Sequence, residues 1–260
     1  MTTNRSSFIL STIIEAGELL LKTREEKFTV SSKNGDSRDL VTSVDIVVDE
    51  FIKKAIKATF PGEIVYSEES ASSIDESGSF WTIDPIDGTS NFSQGIPHYA
   101  VCIGYVENGQ PVVGAVYNPV TKDLFSFENG AGASLNGSPI KVRTIEKLSD
   151  AHVLLHIGRK PELADWGLKL QRTLLATAKK NLNLGSSALD ICFVAAGRVD
   201  ASVYGTLTTK DISSAVGILR EAGGEIYDEN GNQAELSDKP QKVFSVATKA
   251  LFQEIVDAGK

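Results

Sequence analysis

The sequence predicts a layered α/β fold, and three observations carry that prediction. The first 60 residues hold two stretches with apolar side chains at helical spacing, residues 99–142 read as strands joined by turn signals, and beyond residue 153 strand and helix patterns alternate. Two helices, a meander and then alternating segments bury their apolar faces most simply as stacked helices and sheets.

The first helix lies between Phe8 and Leu21. Glu15 and Glu18 interrupt its apolar run, and Ile9, Ile13, Ala16 and Leu20 recur at helical spacing, which reads as one face of a helix and not as a signal peptide. The second runs from Ser43 to about Phe60, with Val44, Val47, Val48, Phe51, Ile52, Ala55 and Ile56 as its core stripe. Thr42 is its expected N-cap, and Thr42 with Asp45 resembles a capping box. Phe60-Pro61-Gly62 ends that helix, Glu63–Ser67 reads as a short strand, and a polar loop over Ser70–Ser79 follows Glu68 and Glu69.

Val101–Val106 and Val112–Tyr117 are expected strands joined across Asn108-Gly109. Asn118-Pro119 breaks the run, Leu124–Phe127 makes a third strand, and Asn136-Gly137 turns again. The meander ends near Thr144–Leu148, so the chain divides into an N-terminal lobe, 1–146, and a C-terminal lobe, 147–260. The second lobe alternates: strand Val153–Leu155, helix Leu163–Ala178, strand Asn181–Leu184, helix Ser186–Ala196, strand Ala201–Tyr204, helix Asp211–Ala222, strands Glu225–Tyr227 and Val243–Ala247, and a last helix.

Composition narrows the functional classes. With 41% apolar and 23% charged residues the chain has the make-up of a soluble globular protein. A net charge of −8 argues against a nucleic-acid surface, which needs a basic stripe. No run of 18 apolar residues exists, so no membrane span is expected. Cys102 and Cys192 sit inside apolar runs without metal spacing, which suggests buried, reduced thiols and a cytoplasmic protein. His98, His152 and His156 lack metal-pair spacing and read as structural or surface residues.

The chemistry concentrates in Trp81–Phe92, where Asp84-Pro85-Ile86-Asp87 runs into Gly88-Thr89-Ser90. Carboxylates on a turn suit a hard cation such as Mg2+. The small segment after them has the composition of a phosphate cradle, with backbone N–H groups free to meet an anion. Together they suggest metal-assisted phosphoryl hydrolysis. Asp-Pro and Asp-Gly are also plain turn formers, but turn chemistry leaves Thr89-Ser90-Asn91 unexplained. Asp45 and Asp211 each open a helix, and Gly185-Ser186-Ser187 begins another; taken singly, these are ordinary caps. A glutamate such as Glu68 at a strand exit is by itself usually solvated.

Collectively, Asp39–Asp45, Ser67–Ser70, Trp81–Phe92, Gly185–Cys192 and Asp211–Gly224 occur in the order seen in the inositol monophosphatase family, which the chain resembles throughout. The resemblance implies a five-layer αβαβα sandwich and a Mg2+-dependent, Li+-sensitive phosphomonoesterase, commonly a homodimer. It implies that Glu68, Asp84, the Ile86 carbonyl, Asp87 and Asp211 hold Mg2+, two or three ions per site. Asp45 and Thr89 would orient or deprotonate the attacking water, with help from Glu68. Gly88, Thr89 and Ser90 would meet the phosphate, and Gly185, Ser186 and Ser187 the alcohol half of the substrate.

Departures from the family pattern bear on the substrate. Lys210 stands where most members have tryptophan, Tyr204 where animal enzymes use a glutamate for an inositol hydroxyl, and Arg159-Lys160 where those enzymes have small hydroxyl residues. The run from Tyr204 to Ile212 is nearer to archaeal-type members, some of which also cleave fructose 1,6-bisphosphate. Lys210, Tyr204 or Arg159 is therefore expected to contact a second anionic group. Gly-Thr-Ser stands where relatives acting on histidinol phosphate or 3′-phosphoadenosine 5′-phosphate usually read Gly-Thr-Lys. The expectation is hydrolysis of inositol 1-phosphate to inositol and phosphate, with fructose 1,6-bisphosphate as rival substrate. The partner is then a small phosphate ester, with no nucleic acid and no membrane. A reading of another class is an interaction protein in transcription complexes, as some bacterial members are.

Overall fold

The structure, a computed structural model, describes residues 4–26, 28–33, 36–69, 78–158, 160–209, 212–237 and 239–259, and only the backbone of 32–33 and 36–39. The elements follow in the order α1 (Arg5–Glu25), β1 (Val30–Lys33), β2 (Asp36–Thr42), α2 (Ser43–Thr59), β3 (Ile64–Ser67), β4 (Ser79–Asp87), α3 (Thr89–Gln94), β5 (Ala100–Glu107), β6 (Gln110–Asn118), β7 (Asp123–Glu128), β8 (Gly132–Leu135) and β9 (Ser138–Pro139). Then come β10 (His152–His156), α4 (Ala164–Thr177), β11 (Lys180–Leu182), α5 (Ser187–Ala195), β12 (Ala201–Leu207), α6 (Ser213–Glu221), β13 (Glu225–Tyr227), β14 (Gln241–Val246) and α7 (Lys249–Gly259).

Strands β3 to β9 form a seven-stranded sheet in sequence order, parallel only between β3 and β4. A five-stranded sheet has the order β11-β10-β12-β14-β13. Side chains alternate across β4: Trp81 and Ile83 join α1 and α2, whereas Phe80 faces the core shared with α5 and α6. That shared core also takes Leu154, Tyr204 and Val243 from the five-stranded sheet. The opposite face of the five-stranded sheet buries Val153, Val203 and Phe244 against Leu170 and Leu174 of α4 and Leu251 and Ile255 of α7. The layers therefore stack α, β, α, β, α.

The helical faces follow from sequence spacing. Ile9, Ile13, Ala16 and Leu20 of α1 meet Val44, Val48, Ile52 and Ile56 of α2 in one cluster. Val47 departs from the expected stripe: it lies at the stripe's edge and is 40% exposed. The capping box on α2 is complete, since Thr42 Oγ1 accepts from the Asp45 N–H and the Asp45 carboxylate accepts from the Thr42 N–H. Such a cap contributes about 1 kcal/mol. Cys102 and Cys192 are buried free thiols, and burial pushes both well above the ordinary thiol range. Among the described residues no helix is long and apolar enough to cross a membrane.

One local expectation is corrected, and two elements appear that the sequence did not announce. Asp84 and Asp87 lie on the end of β4 and not on a free turn. Asp84 pairs with Cys102 and Asp87 with Ala100, so β4 carries one extra residue there as a bulge. Pro85 donates no N–H, and a bulge is where a strand tolerates that loss. The β1–β2 hairpin and the short helix α3 were not expected, because their polar residues show neither period. Helix α6 begins at Ser213; the expected start at Asp211 lies outside the described residues.

Candidate active site

The bulge ends β4 against the start of α3. Ile86 N–H donates to Asp84 Oδ1 at 3.0 Å, which holds that carboxylate beside the backbone. Gly88 follows with φ +92°, and a Cβ there would stand 3.1 Å from the His98 carbonyl oxygen and 3.3 Å from that of Gly185. Glycine is required on both counts. Thr89 Oγ1 then donates to the Ile86 carbonyl at 2.9 Å and lies 3.5 Å from Asp45 Oδ1.

Asp45 is buried at the start of α2. Burial drives its carboxyl up to about 6, against two hydrogen bonds from Thr42 and with a push from Glu69 and Glu68. A carboxylate so poised takes a proton near neutral pH.

Asp87 meets the N-terminus of α5. The Ser187 N–H and O–H donate to its Oδ1 at 3.1 and 2.7 Å, the Ala188 N–H to its Oδ2 at 3.0 Å, and the Ser186 hydroxyl also to Oδ2. Negative charge belongs at a helix N-terminus; burial nonetheless pushes this carboxyl up. Ser186 is 1% exposed and its hydroxyl is spent on Asp87, so it faces that carboxylate and not a substrate. Asn91 ties the same elements: its Nδ2 donates at 2.8 Å to the carbonyls of both His98 and Leu184.

Glu68 extends from the end of β3, where its N–H bonds the Ile83 carbonyl at 3.1 Å. The preceding Ser67 hydroxyl donates to Asp49 of α2 at 2.5 Å and accepts from the Glu69 N–H at 3.2 Å. Asp49 thus anchors the segment carrying Glu68. The sequence reading missed it, because a buried acid beside Lys53 at i+4 looks like a surface helix pair.

Glu68, Asp84, Ile86, Asp87, Gly88 and Thr89 line one cavity of about 350 Å3, and none of its described lining residues is Lys or Arg. Carboxylate and carbonyl oxygens suit a hard cation, so the residues fit Mg2+. Among the described residues no three acidic side chains stand close enough to share one ion. Asp211, which the resemblance adds to the set, lies outside the described residues, as do Arg159 and Lys210.

An outer cavity of about 1200 Å3 continues from Asp87, Gly88, Thr89 and Ser187 past Ser90, Gly185, His98 and His156 to Lys160. The chain matches the inositol monophosphatase family over residues 3–258. The chain belongs to the inositol monophosphatase family. It is 33% identical over 227 residues to the Nus factor SuhB of Pasteurella multocida, covering 86% of this chain and 84% of that protein. It is 31% identical over 236 residues to the fructose-1,6-bisphosphatase/inositol-1-monophosphatase of Thermotoga maritima, covering 91% and 89%. The solved extragenic suppressor protein suhB of Bartonella henselae shares the fold with a TM-score of 0.89 at 28% identity, over 98% of this chain and 97% of that one. The inositol monophosphatase family is one of phosphatases that use Mg2+.

In this inositol monophosphatase family member, one reading of the outer cavity needs correction and one needs refinement. Tyr204 lines it but is 7% exposed, and its hydroxyl donates to the buried Asp190 at 2.6 Å, so that proton is not offered to an anion. The histidines are not equivalent: His152 packs beside Asp200, whereas His98 and His156 face the cavity and gather around Asp190. Sequence spacing gave no sign of this, since Asp190 and His98 are 92 residues apart.

Proposed function

We propose that the protein hydrolyses a small polyol or sugar phosphate monoester, inositol 1-phosphate first among them, with two or three Mg2+ ions as cofactor. The observation that carries the reading is the convergence of Glu68, Asp84, Asp87 and Thr89 on one cavity, with Asp45 beside Thr89. Glu68, Asp84, Asp87, the Ile86 carbonyl and Asp211 would hold Mg2+, which neutralises phosphate charge and polarises the ester. The N–H groups of Gly88, Thr89 and Ser90, at the start of α3 where intrahelical acceptors are lacking, would hold phosphate oxygens. Asp45 and Thr89 are close enough to hold one water between them. As that water's oxygen bonds phosphorus, its proton passes to Asp45 and the ester P–O bond breaks; the leaving alkoxide takes a proton from solvent and departs as the alcohol, and Asp45 returns its proton to solvent. Ser187 and Gly185 line the outer cavity, and the alcohol half would lie against them.

The test is phosphate release from inositol 1-phosphate and fructose 1,6-bisphosphate, side by side, with Mg2+ and with EDTA, in the native protein and in Asp84→Asn. Mg2+-dependent turnover lost in the variant is the expected result; no turnover of either ester refutes the reading. The bisphosphate is a second reading, supported by Lys160 on the outer wall and by the double name of the Thermotoga maritima relative. Alanine at Arg159 and Lys160 should then raise KM for the bisphosphate far more than for the monophosphate, and equal effects would reject it.

A further inference from the structure

His156, the last residue of β10, stacks flat on Tyr204 with ring centroids 4.6 Å apart and planes 3° apart. The Gly185 N–H donates to its Nε2 at 3.1 Å. That nitrogen is therefore an acceptor, and a neutral ring must carry its proton on Nδ1. Asp190 supports the assignment. It is fully buried and takes the Tyr204 O–H on Oδ2 and, at 2.9 Å, His98 Nε2 on Oδ1. Against a carboxylate His98 Nε2 must be protonated, so each oxygen already has a donor. Asp190 stands 3.6 Å from His156 Nε2 and needs no third donor from it.

Burial lowers the His156 pKa from the ordinary imidazole value, against the pull of Asp190, which favours the neutral ring. Nδ1 has no partner among the described residues and, unlike the buried Nδ1 of His152, is not enclosed. The side chain is 22% exposed and lines the outer cavity beside Gly185.

We infer that His156 presents its Nδ1–H to the outer cavity as a hydrogen-bond donor to a hydroxyl oxygen of the substrate's alcohol half, with Tyr204, Asp190 and the Gly185 amide fixing the ring. The inference rests on the phosphatase reading and deepens it: the leaving group is polyhydroxylated and is read by a neutral donor. His156 is then a specificity residue.

The experiment compares the native protein with His156→Phe, which keeps an aromatic plate over Tyr204 and removes both nitrogens. The substrates are inositol 1-phosphate and phenyl phosphate, whose leaving group has no hydroxyl besides the reacting oxygen. Loss of one neutral hydrogen bond should raise KM for inositol 1-phosphate roughly three- to tenfold, while kcat and the phenyl phosphate KM hold within about twofold. Equal effects on both esters overturn the contact. If the native protein releases phosphate from neither ester in Mg2+, the phosphatase reading fails and the contact falls with it. A readout independent of the variant's folding is the imidazole 15N spectrum of the native protein. An Nδ1–H tautomer for His156 is expected, and an Nε2–H tautomer overturns the inference whatever the kinetics show.

Discussion

Replacing Asp45 by asparagine should make the metal-free protein more stable at neutral pH while removing its activity. In the native site Asp45 Oδ2 accepts both the Thr42 N–H, at 2.8 Å, and the Thr42 O–H, at 2.5 Å. An asparagine carbonyl can take both bonds, and its NH2 then faces the Thr89 hydroxyl, which can accept. The substitution therefore keeps the cap and removes a buried charge. Burial raises this carboxyl from 3.8 to about 6, so ionising it in the folded state is harder than in the unfolded chain by about 3 kcal/mol.

The sign follows from proton binding. Well below pH 3.8 both states hold the proton and the charge has no effect. As pH rises from 3.8 through about 6, the unfolded chain releases its proton first, so native stability falls across that window and stays lowered above it. Asparagine has no such loss. Urea unfolding in EDTA between pH 4 and 8 should show the variant gaining on the native protein by up to about 3 kcal/mol, all of it acquired below about pH 7. Parallel stability curves would refute the reasoning. Adding Mg2+ should shrink the gap, because cations at the neighbouring carboxylates oppose the push from Glu68 and Glu69.

Two further outcomes follow from geometry. Asn91→Asp would set a carboxylate against the His98 and Leu184 carbonyls in place of two 2.8 Å donors, so unfolding free energy in EDTA should drop by roughly 2–4 kcal/mol; an unchanged urea midpoint would show that Asn91 is not a clamp. Gly217→Ala would place a Cβ 2.0 Å from Phe127 Cζ between α6 and β7, and calorimetry should show a loss near the upper end of overpacking costs, about 3 kcal/mol.

What the sequence made legible was local. The Thr42–Asp45 box spans three residues, the α1 and α2 faces repeat at helical spacing, and the segment Asp84–Thr89 carries its carboxylates and its glycine together. The rest depends on closure between distant segments, which no periodicity encodes. Asp87 meets Ser186, Ser187 and Ala188 across about a hundred residues, Asn91 reaches Leu184, and Asp190 gathers His98 and Tyr204. Serines at a helix start have an adequate local explanation as caps, and that explanation conceals Asp87 as the group they hold. Tyr204 was misread for the same reason: its partner Asp190 lies on another element, so its hydroxyl seemed available.

These contacts share one physical logic. Thr42 holds Asp45, the Ile86 amide holds Asp84, and two serine hydroxyls with two helix-terminal amides hold Asp87. All are neutral donors, and the described lining of the inner cavity contains no Lys or Arg. A guanidinium at the same positions would fix the carboxylates equally well and would also cancel the charge a bound cation must meet. Neutral dipoles orient an oxygen and leave its charge in place. Lys53 pairs with Asp49, which reaches the segment carrying Glu68 through the Ser67 hydroxyl. The cost of burying these acids appears as the raised pKa of Asp45 and Asp87. A site built this way is most strained when empty, which is why metal, acid and the loss of Asp45 should each stabilise it.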